Sequence, residues 1–182
     1  MSILNSVLKV FVGDKKKKDL KELQPIVTNV RAFESQMERL SIDEIRGKTL
    51  EFKQKIKEAR KPFDDKIAEL NIEIETANID RKEEIYKQID LLNEDAYQAS
   101  EGVLLDVQAE AFAVIKETAK RLVNNTTLKV KATPFDREIS ADNDYVVLED
   151  DYAIWSNSWD AAGKPITWDM IHYDVQLIGG LV

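Results

Sequence analysis

Residues 41–77 read SIDEIRGKTLEFKQKIKEARKPFDDKIAELNIEIETA, and their apolar and small positions recur at alternating steps of four and three. This heptad spacing, with one stutter next to Pro62, predicts a long helix with one apolar seam. The seam consists of Ile45, Thr49, Phe52, Ile56, Ala59, Phe63, Ile67, Leu70, Ile74 and Ala77. A helix over residues 42–77 would be about 54 Å long, and we expect Pro62 to kink or split it.

A second heptad run follows a short turn at residues 78–80. Its seam consists of Ile85, Ile89, Leu92, Ala96, Ala99 and Val103. Two such runs joined by a short turn predict an antiparallel coiled-coil hairpin. Ser41 followed by Glu44 has the pattern of a capping box, which marks the start of the first helix. Asp80 followed by Glu83 predicts a second capping box at the start of the other helix.

Further helices are expected on both sides of the hairpin, and a β region follows them. One helix precedes Ser41, with an apolar face of Ile26, Val27, Val30, Phe33, Met37 and Leu40, and another covers residues 103–123. Residues 128–132 alternate as a half-buried strand does, and residues 145–148 and 152–155 predict a β-hairpin with an acidic turn. A loop is expected at 163–165. The fold class is therefore mainly α with a small antiparallel β region (α+β).

Three tryptophans lie close together in this β region, namely Trp155, Trp159 and Trp168. Such a cluster either forms the core of a small sheet or stacks against a ligand. We favour the core, because apolar aromatic clusters in small sheets are usually buried.

Composition excludes several kinds of chemistry. The 182 residues contain no Cys and a single His, His172, so disulfides, thiolate chemistry, multi-His metal sites and a Ser-His-Asp triad are not expected. The net charge of −8 argues against nucleic-acid binding. The tripeptide Gly47-Lys48-Thr49 lacks the glycine that a phosphate-binding loop needs five positions earlier, where Ile42 stands. We expect no catalytic residue and no metal ligand in the chain.

Residues 1–18 form a basic, amphipathic arm. Apolar side chains share one helical face and lysines follow it; the set includes Leu4, Leu8, Phe11, Lys9, Lys15, Lys16, Lys17 and Lys18. Residues 1–62 carry a net charge of +6 and the remainder −14. An apolar stripe beside a lysine cluster suits a helix lying on an anionic membrane. The alternative is a helix that packs on the rest of the protein with its lysines in solvent.

Three stretches, in order along the chain, resemble the SecA family of preprotein translocase ATPases. Residues 168–180 read WDMIHYDVQLIGG and are similar to the family's Q-motif. Residues 40–52 read LSIDEIRGKTLEF and look like its early capped helix. Residues 109–121 read AEAFAVIKETAKR and look like the helix that precedes the Q-motif.

The resemblance implies a motor with two RecA-like folds that uses ATP or ADP with Mg²⁺. It implies that Gln176 contacts the adenine edge, that Met170 and Tyr173 line the base pocket, and that Asp174 stabilises the local turn or caps the helix. An amide suits adenine because it offers both a donor and an acceptor. The implied partners are the SecYEG channel, preproteins, anionic lipid and a second copy of the protein. The implied location is the cytoplasmic face of the bacterial inner membrane.

The resemblance divides the chain into four parts. These are the arm at 1–18, a helical region at 19–123 with a hairpin insertion near 61–101, a β insertion at 124–167, and the Q-motif at 168–182. Because the chain contains no phosphate loop, we expect an N-terminal fragment that neither hydrolyses nor tightly binds ATP alone. The competing interpretation is a free-standing coiled-coil adaptor with a membrane-surface arm and no nucleotide activity.

Overall fold

The computed structural model describes residue 21 and residues 24–180. The predicted arm at residues 1–18 therefore lies outside the described residues. The helices are α1 (24–37), α2 (Ile42–Thr76), α3 (Ile79–Asn124), α4 (Pro134–Asp142) and α5 (Asp174–Gly179). The strands are β1 (Thr127–Lys131), β2 (Val146–Glu149), β3 (Tyr152–Ser156), β4 (Ser158–Ala161) and β5 (Lys164–Thr167). The α+β class is confirmed.

Helix α2 begins at the predicted capping box. The Ser41 backbone N–H donates to Glu44 Oε2 over 2.7 Å, and the Glu44 N–H donates to Ser41 Oγ over 3.2 Å. The helix then runs unbroken to Thr76 with Pro62 inside it, so of the two predicted effects of Pro62, a kink or a split, the split is wrong. Pro62 has no backbone N–H, so one helical hydrogen bond is missing at this position. The helix continues on both sides of it.

Helix α3 differs from its prediction in two ways. It runs for 46 residues without a break, whereas we expected separate stretches that met near Val103. Its amino-terminal cap is Asn78, whose Oδ1 accepts the Arg81 N–H over 2.9 Å. The expected box of Asp80 with Glu83 is therefore wrong, because Asp80 already lies within the helix.

The chain divides into two compact units. One unit, Arg46–Ala111, consists of the outer parts of α2 and α3. These run antiparallel, since Lys48 Nζ bonds Glu110 Oε1 over 2.8 Å near one end and Arg81 Nε bonds Glu73 Oε1 over 2.8 Å near the other. Every predicted seam position of both heptad runs is buried or half-buried except Thr49.

The other unit contains the described residues up to Ile45 and those from Phe112 onward. Its three-stranded antiparallel sheet has the order β1-β3-β2, and its core is formed by Val130, Val146 and Ala153. Strands β4 and β5 form a separate two-stranded sheet. The turn between them uses Ala162 and Gly163, both with positive φ, as a two-residue hairpin turn requires.

Three elements of this unit were not predicted, namely α4, β4 and β5. Helix α4 is capped by Thr133, whose N–H donates to Asp136 Oδ2 over 2.7 Å. Strand β5 occupies residues where we expected only a loop, and it pairs with β4 in antiparallel register. The predicted strands at 128–132, 145–148 and 152–155 agree with β1, β2 and β3 to within one residue at each end.

Candidate functional site

The segment 168–180 consists of an extended stretch followed by the short helix α5. Within the stretch, the Trp168 Nε1–H donates to the Met170 carbonyl over 2.8 Å. The backbone N–H of Tyr173, the cap residue of α5, donates to Gln176 Oε1 over 2.8 Å. That bond is one half of a capping box, with a glutamine at the third helical position. The amide of Gln176 is thereby held against the turn that begins the helix.

Of the three residues that the family resemblance assigns to a base pocket, the structure joins Gln176 to the side chain of Met170 and to the backbone of Tyr173. Gln176 Nε2 lies 3.4 Å from Met170 Sδ, while Gln176 Oε1 faces the amide of Tyr173. Tyr173 is 72% exposed and Met170 is 40% exposed. An amide oxygen accepts two hydrogen bonds and an amide nitrogen donates two. Among the described residues, the Met170 sulfur and the Tyr173 N–H are its bonding partners, which leaves one acceptor position and one donor of the amide for a ligand.

An ion pair joins α1 to the amino end of α5. Arg31 Nη2 bonds Asp174 Oδ2, and the two side chains are 59% and 35% exposed. Asp174 lies in the first turn of α5, where a carboxylate is also stabilised by the partial positive charge of the helix. The resemblance predicted that Asp174 stabilises this turn or caps the helix, and the structure has Tyr173 as the cap residue. Arg31 was not identified from the sequence, because it carries no motif and lies 143 residues away.

The carboxyl end of α5 is fixed by packing. Leu177 is almost completely buried, at 2% exposure. Gly180 lies against the Phe112 ring so closely that an added Cβ would be 3.1 Å from a ring carbon. A larger residue at position 180 would displace the ring, so a glycine is suited to this contact.

An open groove of about 670 Å³ runs beside this segment. Its lining consists of Arg31, Lys116, Asp169, Ile171, His172, Tyr173, Asp174 and Val175. His172 Nδ1 is buried and has no hydrogen-bond partner within the described part of the chain. Cationic, anionic, aromatic and aliphatic groups all line the groove, which suits a ligand with both polar and flat apolar parts.

The three tryptophans do not share one role. Trp155 packs against the core of the three-stranded sheet, and its Nε1–H donates to the buried Asp136 Oδ1 over 2.8 Å. Trp159 lines a second groove, of about 430 Å³, between α4 and the β4–β5 hairpin. Trp168 belongs to the extended stretch described above. The preference for core packing holds for Trp155.

Other sequence features are also accounted for. The tripeptide at 47–49 lies inside α2, and its Lys48 bonds both Glu110 and Glu51, so it forms no phosphate loop. The carboxylate of Glu110 raises the pKa of Lys48 through this hydrogen bond. Among residues 21 and 24–180, no helix is long and apolar enough to cross a membrane.

Comparison with known proteins extends over nearly the whole chain. Residues 8–182 match the family model described as the SecA DEAD-like domain. The chain is 66% identical over its full length to the protein translocase subunit SecA of Christiangramia forsetii, and 55% identical to that of Flavobacterium psychrophilum. It is 44% identical over 93% of its length to that of Porphyromonas gingivalis.

The chain spans only about 16% of the length of the first two relatives and 15% of the third. No solved structure matches it. The family match covers both helical regions, the β region and the segment that holds Gln176. The chain therefore belongs to the SecA family.

Proposed function

We propose that this chain is the N-terminal part of an ATP-driven translocase that moves preproteins through the SecYEG channel at the cytoplasmic face of the bacterial inner membrane. The names of its relatives and the match along its whole length support this proposal. In the complete protein, two RecA-like folds would bind ATP with Mg²⁺. The present residues would supply the adenine contact, and the basic arm would supply contacts to lipid, channel or a second copy.

The observation on which the proposal rests is the fixed orientation of the Gln176 side-chain amide. Its Oε1 is oriented by the Tyr173 N–H over 2.8 Å, and its nitrogen lies beside the Met170 sulfur. Adenine presents an amino donor next to a ring-nitrogen acceptor, which matches the free acceptor and donor of this amide. Guanine has a carbonyl oxygen where adenine has the amino group, and that oxygen would face Gln176 Oε1. The arrangement thus favours ATP over GTP.

The test is Gln176→Ala in the full-length translocase. We expect the KM for ATP to rise about tenfold or more and the preference for ATP over GTP to fall, because the variant loses a paired donor and acceptor. The measurement is steady-state hydrolysis of ATP and GTP. Gln98→Ala is the matched control, since Gln98 is an exposed helical glutamine that bonds only its neighbour Glu94 over 2.9 Å. Unchanged nucleotide discrimination in Gln176→Ala would remove the adenine assignment.

The hairpin of residues 46–111 belongs to the proposal as a coiled coil that contains the insertion near 61–101. Its seam positions other than Thr49 are buried or half-buried in the predicted register, and ion pairs join its two helices at both ends. A rigid hairpin of this kind extends the surface of a motor for a further contact. The nucleotide proposal does not depend on it.

A further inference from the structure

We propose that Arg31 is a positioning residue for the adenine contact, and this inference rests on the proposed function. Through its ion pair with Asp174, Arg31 fixes the amino end of α5 and thereby the direction of the Gln176 amide. Arg31 belongs to α1, and nothing in its sequence context marks it as part of a nucleotide site. The ion pair makes α1 a support for that site.

Helix α5 needs such a support because it has only six residues. Isolated helices shorter than about 12 residues are marginal in water, so their geometry depends on tertiary contacts. Leu177 and Gly180 hold its carboxyl half through packing. The ion pair with Arg31 holds its amino half, where the base-contacting groups lie.

The link from Arg31 to Gln176 is short. Asp174 follows Tyr173 directly in the chain, and the Tyr173 N–H holds Gln176 Oε1 over 2.8 Å. A shift of the first turn therefore moves the donor that orients the amide. Arg31, Tyr173 and Asp174 also line the same groove of about 670 Å³, so the ion pair forms part of its wall.

The solvent exposure of the Arg31–Asp174 ion pair determines how much its loss should change the KM for ATP. Arg31 is 59% exposed and Asp174 is 35% exposed, so solvent and salt weaken their attraction. We expect loss of the pair to raise the KM for ATP about twofold to fivefold at low salt. We expect kcat to stay nearly constant, because the proposed role of Arg31 is to position the base contact and not to act on the reacting phosphates. The effect should shrink as salt is added.

The experiment compares Arg31→Ala, Asp174→Asn and the double variant in the full-length translocase, with ATP as the probe. The double variant should be no worse than the worse single variant, because both remove the same pair. Arg31→Lys should restore part of the low-salt KM, since it keeps the charge. Lys120→Ala is the matched control, because it breaks a similar exposed pair, between α3 and Glu38 at 2.5 Å, that includes no residue of α5. Its KM should match that of the wild type.

Two results would overturn the inference while leaving the proposed function intact. One is an unchanged low-salt KM in Arg31→Ala, measured beside a Gln176→Ala variant that does lose its preference for ATP. The other is independent, additive effects of Arg31→Ala and Asp174→Asn. If Gln176→Ala changed neither the KM for ATP nor the preference for ATP, the proposed adenine contact would be wrong, and the inference about Arg31 would fall with it. Melting temperatures of all variants show whether a raised KM comes from a displaced α5 or from an unfolded protein.

Discussion

At the scale of single residues, Arg121 joins α3 to the end of α1. Its Nη2 donates to the carbonyls of Met37 and Leu40 over 3.1 and 2.6 Å, and its Nε bonds Glu117 over 2.7 Å. The guanidinium thus supplies a charged donor to the Met37 carbonyl at the end of α1, which also accepts the Leu40 N–H, and to the Leu40 carbonyl in the turn that follows. We expect Arg121→Met to lower the free energy of unfolding by about 2–3 kcal/mol, measured by urea denaturation.

The controls for Arg121 separate charge from geometry. Arg121→Lys keeps the charge, but one ammonium group cannot reproduce the planar fork, so an intermediate loss is expected. Lys120→Ala removes the neighbouring exposed ion pair and should cost much less. If Arg121→Met and Lys120→Ala were equally stable, the carbonyl contacts would contribute nothing.

The candidate site shows what single residues reveal before a structure exists. Gln176 is an unremarkable exposed glutamine without its family resemblance, and only the motif around it singled it out. Its proximity to Met170 depends on the path of residues 171–173, which belong to no helix or strand and which no periodicity predicts. Sequence analysis could not identify Arg31 as part of the site, because its partner lies 143 residues away. Both residues of the pair are ordinary surface charges.

At the scale of elements, the start of α2 has a titratable cap. Hydrogen bonds from the Ser41 hydroxyl, and then from its backbone N–H, hold the pKa of Glu44 below its ordinary value. A lowered carboxylate pKa stabilises the fold fully above the unfolded value of about 4.3. That contribution is lost as the pH falls through the lower folded pKa. We expect the stability advantage of wild type over Glu44→Gln to shrink between about pH 5 and pH 3.

Glu44→Gln is the appropriate comparison because its amide oxygen still accepts the Ser41 N–H but does not titrate. Other carboxylates with lowered pKa values, such as Glu51 beside Lys48, titrate equally in both proteins and cancel. Urea denaturation at a series of pH values measures the difference. A gap that stayed constant across this range would show that ionised Glu44 does not support the cap.

The helices and strands that could be predicted are those with strong local sequence signals. The box of Ser41 with Glu44 and the heptad steps identified the start and the buried face of α2. Helix α4 was missed because its box ends in Asp136 rather than a glutamate or glutamine. The division of α3 was wrong because no residue near Val103 breaks a helix strongly; Gly102 costs only about 1 kcal/mol there. Tertiary packing then decides the length.

At the scale of the whole molecule, the charge is unevenly distributed along the chain. Residues 1–62 carry a net +6 and residues 63–182 a net −14. An anionic surface therefore attracts the first part and repels the rest. Any adhesion to such a surface must come from the basic part, and the four consecutive lysines at 15–18 are its densest cluster.

This asymmetry gives a prediction for the arm. Changing Lys15, Lys16, Lys17 and Lys18 to Gln in the full-length protein should weaken binding to phosphatidylglycerol vesicles roughly a hundredfold or more, at about 1 kcal/mol per lysine. Vesicle co-sedimentation measures it, and wild-type binding should fall with added salt. Changing Leu4, Leu8 and Phe11 to Ser should instead remove a part of the binding that salt does not affect. If deletion of residues 1–18 left vesicle binding unchanged, the arm would be a docking helix within the protein, which is the alternative that the sequence left open.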